Sequence, residues 1–448
     1  MAGILSRKRS PGNIARPKRM LTLMFMRRTA LGWLVMCACS NAPGNGDAGN
    51  DATTMDAPSE SGTDAAPDSS ATDASDAASD VADAEAGVAY TYNDITSSAN
   101  WTKYSPTLDP QGIQGGTFDG RYVYLAPAFG SVVTQYDTTL PFSTAGSWSN
   151  FDVSALTGAP KRFFGAAFDG TYVYLVPNAS GVVVRYDTAM PFGTASSWTT
   201  FDTTTVASGA TEYNGATFDG QYVYFVSSGG ETIRYDTTMS FTATASWTPY
   251  SLTGAANAMH YGAMFDGQNV YYVPFGSASA VRYDTTMGFS VSGSWTTYDM
   301  SVVAASDAGV PYPFAGGAFD GRYAYFIADN DFRVVQYDTT AAFGTSGSWL
   351  AFDTVTLMGS GTYLVLGGFD GRYVYVGSYQ GAIGRYDTQQ AFASESSWSM
   401  YQTMTGETDA LVFDGKYLYV VGDGVVARFD AKSPSSMPTL PHFSGSFY

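Results

Sequence analysis

The sequence predicts an all-β chain folded as a seven-bladed β-propeller of four-stranded blades, on three observations. First, Phe-Asp-Gly followed by an aromatic strand occurs seven times, at Phe118, Phe168, Phe218, Phe265, Phe319, Phe369 and Phe413. The steps between copies are 50, 50, 47, 54, 50 and 44 residues, the length of a propeller blade and too long for a coiled coil or a leucine-rich repeat. Second, each copy is followed roughly 17 residues later by an aromatic and Asp, from Tyr136-Asp137 to Phe429-Asp430, a spacing that fits two strands and a turn. Third, six copies then carry Ser-Trp with an aromatic three places on, at Trp148, Trp198, Trp247, Trp295, Trp349 and Trp398, while a seventh such unit, Trp101 with Tyr104, precedes the first copy.

Each strand of the repeat follows from its residues. The tract before Phe-Asp-Gly is small, as in Gly165-Ala166-Ala167 and Gly215-Ala216-Thr217, which suits the innermost strand, where several sheets converge on an axis. Asp-Gly supplies a tight turn, because Gly accepts a positive φ without steric cost. Tyr172-Val173-Tyr174-Leu175 and its equivalents are aromatic and β-branched and form the second strand. Their nearly continuous apolarity implies burial on both faces, as stacking between blades requires. The third strand is Val182 to Asp187 and the fourth Trp198 to Asp202, with residues 188–197 between them. No segment carries a helical period. The last copy lacks a Ser-Trp strand, so Trp101 to Tyr104 is expected to supply it by pairing with Val425 to Asp430, removing the edge that an open array would leave.

With a small-residue strand, Asp-Gly, an aromatic strand, Tyr-Asp and Trp in that order, the repeat resembles the kelch family over Trp101 to Asp430. It departs from the kelch pattern after the second strand, where Val176-Pro177 stands in place of paired glycines, and in the longer interval from Tyr186 to Trp198. The resemblance implies a binding or scaffolding role by analogy of fold.

The chain ahead of the repeats reads as an export and tether region. Positive charge is concentrated there, at Arg7, Lys8, Arg9, Arg16, Lys18, Arg19, Arg27 and Arg28, and the apolar run 30–38 is too short to span a bilayer but suits a secretory signal. A start at Met26 makes the more ordinary signal peptide. The only cysteines, Cys37 and Cys39, end that run, which excludes a disulfide framework in the folded part. Met36-Cys37-Ala38-Cys39 resembles a bacterial lipobox, so residues 1–39 are expected to be a signal sequence with lipidation at Cys39; Cys37 and a plain signal peptide are the alternatives. Residues 40–87 are rich in Ala, Asp and Ser and contain no aromatic or basic residue, so a disordered acidic linker is expected. The propeller is assigned to residues 88–430 and a C-terminal tail to 431–448. The expected location is the cell envelope, as an outer-membrane-anchored lipoprotein, or the extracellular space. The net charge of −18 disfavours nucleic acid as a partner, and a monomer touching the membrane only through its lipid is expected.

Catalytic signatures are scarce. The two histidines are His260 and His442, too few for a multi-His metal centre. The absence of cysteine from the repeats excludes the Tyr–Cys copper chemistry of galactose oxidase, a kelch-like enzyme. No Gly-x-Ser-x-Gly elbow and no phosphate loop occurs. No metal and no cofactor is expected. Glu212, Asp307, Glu407 and Asp409 are the candidate loop carboxylates for polysaccharide hydrolysis or elimination, and Asp329-Asn330-Asp331 reads as a polar turn. Where one blade leads into the next inner strand, aromatics gather: Phe163, Phe164, Tyr213, Tyr261, Tyr312, Phe314 and Tyr363, with Arg162 and His260 among them. Phe163, Tyr213, His260, Tyr261, Tyr312 and Tyr363 are therefore the candidate ligand-binding residues, stacking on a glycan or holding a protein at the channel mouth; the competing reading is channel packing. The function expected is a non-catalytic binding or scaffolding module, with the polysaccharide enzyme as the alternative.

Overall fold

The computed structural model of the chain describes residues 88–440, apart from 110–111, 159–160, 230, 257–258, 304–313, 330–331, 360–361 and 405. The expected signal sequence, both cysteines, the acidic linker, Tyr312, Asp307, Asn330, Asp331 and His442 lie outside the described residues. Seven four-stranded antiparallel sheets form seven blades, at residues 113–152, 163–202, 213–251, 259–299, 314–353, 364–402 and 410–430. The fourth strand of blade 7 is Trp101–Tyr104, paired antiparallel with Val425–Asp430 in the register Trp101↔Phe429 to Tyr104↔Val426. The ring thus closes as its displaced tryptophan unit predicts, by joining the N-terminal part of the propeller to its last blade. Among the described residues, no helix is long and apolar enough to cross a membrane.

The Phe-Asp-Gly aspartate holds the turn between the first two strands. In blade 2, Asp169 accepts hydrogen bonds from the backbone N–H of Thr171 (2.8 Å) and Tyr172 (2.6 Å) and from the hydroxyl of Tyr174 (2.6 Å). The same three donors recur in every blade, through Tyr124, Tyr224, Tyr271, Tyr325, Tyr375 and Tyr419. The aspartate therefore fixes the turn and pins a buried tyrosine of the second strand. Burial, and then the Asp169 carboxylate, push the Tyr174 hydroxyl above its ordinary pKa, keeping it a donor. Tyr174→Phe is expected to cost about 1.5–3 kcal/mol, the usual worth of a hydrogen bond to a charged group, and denaturant unfolding would measure it. An unchanged midpoint would contradict this role.

Tryptophan links neighbouring blades. Its indole N–H donates to the carbonyl of the residue six places earlier, as Trp198 does to Phe192 (3.0 Å), which closes the connection between the third and fourth strands. A short 3-10 turn, Ala195–Ser197 in blade 2, ends that connection just before the tryptophan. The aromatic three places after Trp in one blade stacks on the Trp of the next, with Phe151 on Trp198 at 4.8 Å, Phe201 on Trp247 at 4.5 Å and Phe352 on Trp398 at 4.6 Å. Tyr401 carries the series over the seam to Trp101 (5.1 Å), and Tyr104 meets Trp148 at 6.0 Å. Such pairs contribute beyond the area they bury, by roughly 0.5–1.5 kcal/mol each.

Near the axis the inner strands approach closely. A side chain on Gly215 would start 2.7 Å from the Gly262 Cα of the next blade, so glycine is required there. The first part of the C-terminal tail stays against the propeller. Residues 431–440 do not leave the propeller at Asp430: Lys432–Ser433 pairs with Thr91–Tyr92, and Ser436 N donates to Gly415 O at 2.9 Å. These contacts place both ends of the described chain on the face formed by the Asp-Gly turns.

Candidate functional site

The inter-blade connections and the hairpins between second and third strands share the face opposite the Asp-Gly turns, the mouth face. Burial separates the mouth aromatics from one another. The residue five places before the Phe of Phe-Asp-Gly packs into the core between blades, as Ile113, Phe163, Tyr213, Phe314 and Leu364 do. His260, the second residue of the strand Met259–Phe265, occupies this place in blade 4. Phe163, Tyr213 and His260 are all fully buried, so three of the six predicted ligand-binding residues present no surface to a ligand. Their periodic position between blades explains this better than a role at the mouth. Tyr213 donates its hydroxyl to Thr203 Oγ1 (3.4 Å). Neither ring nitrogen of His260 meets a partner in good hydrogen-bonding geometry. Burial lowers its pKa from the usual 6.5 to about 3, opposed by a contact with the Ser227 backbone. The imidazole is neutral at pH 7.

The next residue along the strand faces the other way. Phe164 meets Phe129 edge-on at 6.3 Å, and Tyr261 lies on Phe275 at 4.2 Å. Asn214 donates to the His260 carbonyl (3.2 Å) and accepts from Asn178. Tyr261 and Tyr363 are half-buried, and Tyr363 N donates to Gln380 Oε1 at 2.9 Å. Of the five predicted residues that the structure describes, Tyr261 and Tyr363 are thus the two that keep some exposure, and they belong to blades 4 and 6. Glu212 is half-buried on blade 3 and accepts from Ser228 Oγ (3.2 Å).

Two features of the mouth gather polar and aromatic groups around blade 1. The first is a cleft of about 410 Å³ at the seam of blades 7 and 1, lined by Pro106, Leu108, Asp109, Glu407, Asp409 and Asp423 with the backbone of residues 421–424. Asp409 bridges the seam through its backbone: its N–H donates to Val421 O (2.7 Å) and its carbonyl accepts from Gly115 N (2.9 Å). Asp109 Oδ2 accepts from Ser131 N (3.0 Å) and Val132 N (2.8 Å) and so fixes the blade 1 hairpin. Asp423, at the tip of the blade 7 hairpin with φ +48°, accepts from Glu407 N (3.2 Å). Two of the four predicted loop carboxylates, Glu407 and Asp409, therefore share one cleft. Among the described residues, no group of three or more His, Cys, Asp or Glu has metal-holding geometry.

The second feature lies on the other side of the same hairpin. Ala128 N donates to Gly112 O, a cleft residue (2.8 Å), and the next side chain, Phe129, is 37% exposed. The Arg162 guanidinium stands 4.8 Å from the Phe129 ring. Sequence reasoning missed Phe129, Asp109 and Asp423. For Phe129 a signal existed: the corresponding hairpin of blade 2 is Asn178-Ala179-Ser180-Gly181, small and polar.

Comparison with solved structures agrees with this architecture. The chain is similar to a streptogramin B lyase (TM-score 0.55, 11% identity, 74% of this chain and 97% of that one). It is similar also to virginiamycin B lyase from Staphylococcus aureus (TM-score 0.54, 11% identity, 74% and 98%). What is shared is the propeller. At this identity the likeness shows the fold alone. No family model matches the chain, and no characterised protein matches it in sequence.

Proposed function

We propose that the chain is a non-catalytic binding propeller, held at the cell surface, that takes a glycan or protein ligand on its mouth face beside blade 1. The observation that carries this reading is the exposed Phe129 ring under the Arg162 guanidinium, next to the carboxylate-lined seam cleft. A flat apolar surface bordered by hydrogen-bonding groups suits a sugar ring or a peptide side chain. The turn face, by contrast, repeats one chemistry in every blade and offers little by which to discriminate a ligand. The kelch-like order of the repeat supports a binding role by analogy.

The test is a screen of the purified chain against glycan and peptide panels, read for both binding and product release. Phe129→Ala is expected to weaken binding by about 1–2 kcal/mol, the range for an interface anchor, while leaving the melting temperature unchanged. A thermal effect without loss of affinity would end the proposal. The convergence of Glu407 and Asp409 favours a second reading, a polysaccharide hydrolase or lyase, and the two similar structures are lyases by name. Product release abolished by Glu407→Gln or Asp409→Asn would replace the first reading with this one.

A further inference from the structure

Beside the repeated Asp-Gly turns, the turn face carries two rows of residues that change from blade to blade. The first row is the residue directly after Asp-Gly. In blades 1, 5 and 6 it is arginine, paired with the Asp of Tyr-Asp: Arg121–Asp137 (2.7 Å), Arg322–Asp338 (2.7 Å) and Arg372–Asp387 (2.8 Å). Blade 7 has Lys416 and Asp430 at 4.0 Å. In blades 2, 3 and 4 the place is held by Thr171, Gln221 and Gln268. Among the described residues, Asp187, Asp236 and Asp284 of those blades form no ion pair. The arginines of the same strands lie over rings instead, with Arg185 and Arg234 each 4.0 Å from Tyr172 and Tyr222, and Arg282 4.9 Å from Phe343. Each of the three carboxylates is half-buried and accepts through Oδ1 from the backbone N–H two residues on, at 3.0 Å.

The second row stands four residues after the Tyr of Tyr-Asp. Blades 1 to 4 present Leu140, Met190, Met239 and Met287 there, 44%, 44%, 45% and 43% exposed. Blades 5 and 6 have Ala341 and Gln390. The display is fixed by the backbone, because the carbonyl of this residue accepts from the blade's own tyrosine, as Met190 O does from Tyr186 (2.6 Å). On blades 2 to 4 alone the two rows coincide: each exposed methionine follows, by three residues, a carboxylate that no base of the described chain neutralises. The described C-terminal residues lie elsewhere, with Ser436 and Met437 against Gly415 of blade 7 and Leu440 against Gly321 of blade 5.

We propose that the turn face of blades 2 to 4 docks a partner protein through a segment that carries both basic and large apolar side chains. Charge complementarity selects this occupant. A Lys or Arg supplied from outside takes, beside Asp187, Asp236 or Asp284, the place that Arg121 fills beside Asp137 in blade 1. Acidic partners, nucleic acid and anionic lipid surfaces meet like charge there. The methionines supply the apolar half of the contact. Their recurrence at one place on adjacent blades marks an interaction surface, unlike singly scattered exposed side chains. A flexible, polarizable thioether also adapts to whatever apolar shape the partner brings.

The probe is a synthetic amphipathic peptide of leucine and lysine, compared with the same peptide carrying glutamate in place of lysine. Calorimetry measures binding to the full chain, and methionine methyl signals in NMR locate it. The signals of Met190, Met239 and Met287 are expected to move with the lysine peptide, and those of the buried Met264 and Met300 to stay. The triple variant Met190→Ser, Met239→Ser, Met287→Ser keeps the net charge and should weaken binding by about tenfold or more. Thr171→Arg, Gln221→Arg, Gln268→Arg, which gives each blade the arginine of blade 1, should weaken it similarly. Both variants change exposed side chains and should keep the melting temperature. No binding of the lysine peptide, equal binding of the two peptides, or affinity unchanged in the methionine variant would overturn the proposal. So would methionine-dependent dimerisation, or methionine-dependent attachment to phosphatidylcholine vesicles, in a chain that ignores the peptide; these assign the surface to a second copy or to a membrane.

Discussion

A chain lacking residues 88–105 is expected to aggregate or to lose most of its stability. That segment supplies the outer strand of blade 7, and its removal exposes the N–H and C=O groups of Val425–Asp430 as an unpaired edge. It also removes Trp101, which stacks between Tyr401 (5.1 Å) and Phe429 (5.0 Å) and donates its indole N–H to Ile95 O (2.9 Å). A milder variant separates edge from core: Trp101→Ala keeps the strand pairing but opens a cavity, at a cost of about 3–5 kcal/mol. Size-exclusion chromatography with thermal unfolding measures both. A shortened chain that stays monomeric and equally stable would overturn the closure of the ring.

The second large effect is an acid-dependent loss of stability from His260. Its imidazole is neutral and fully buried in the folded chain, with a pKa lowered to about 3, whereas the unfolded chain binds a proton near pH 6.5. Above pH 6.5 both states are neutral and the histidine adds no pH dependence. Below it the unfolded state takes up a proton that the folded state refuses, so stability falls with pH by about 1.4 kcal/mol per unit until pH 3. The accumulated loss is on the order of 4–5 kcal/mol. Other groups titrate in the same window, so the measurement is a difference, with unfolding free energies of the natural chain and His260→Phe compared from pH 7.5 to 4. Phenylalanine is the choice because Phe163 and Phe314 fill the same place in blades 2 and 5. The variant should gain on the natural chain as pH falls. A difference independent of pH would refute the assignment.

The architecture was legible because its landmarks are the same bonds made seven times. The Asp of Phe-Asp-Gly must stand two and three residues before the N–H groups it accepts from, and five before the tyrosine it holds. The Trp must lie six after the carbonyl it binds. Such intervals survive in sequence whatever surrounds them. The mouth was less legible because neighbouring residues of one type pack against different partners. Phe163 and Phe164 are adjacent and chemically identical, yet one fills the core between blades 1 and 2 and the other meets Phe129. An irregular register between Phe163 and Ala166 makes that alternation hard to count from sequence. The seam cleft was hidden for another reason. Asp109 and Asp409 stand 300 residues apart, on separate connections that only ring closure brings together.

The joining of the chain ends on the turn face has a mechanical consequence. Val88 enters the propeller there, beside Lys432–Ser433, at the opposite end of the axis from Phe129 and the seam cleft. Under the proposed function, attachment through the N-terminal side would leave the mouth facing outward, open to the proposed ligand. Traction on that ligand, resisted at Val88, would pass first through the two pairs of Thr91–Tyr92 with Lys432–Ser433 and then to the seam. There it would load the four residue pairs of Trp101–Tyr104 in shear, and sliding of that strand would have to break the stacking of Trp101 on Tyr401 and Phe429.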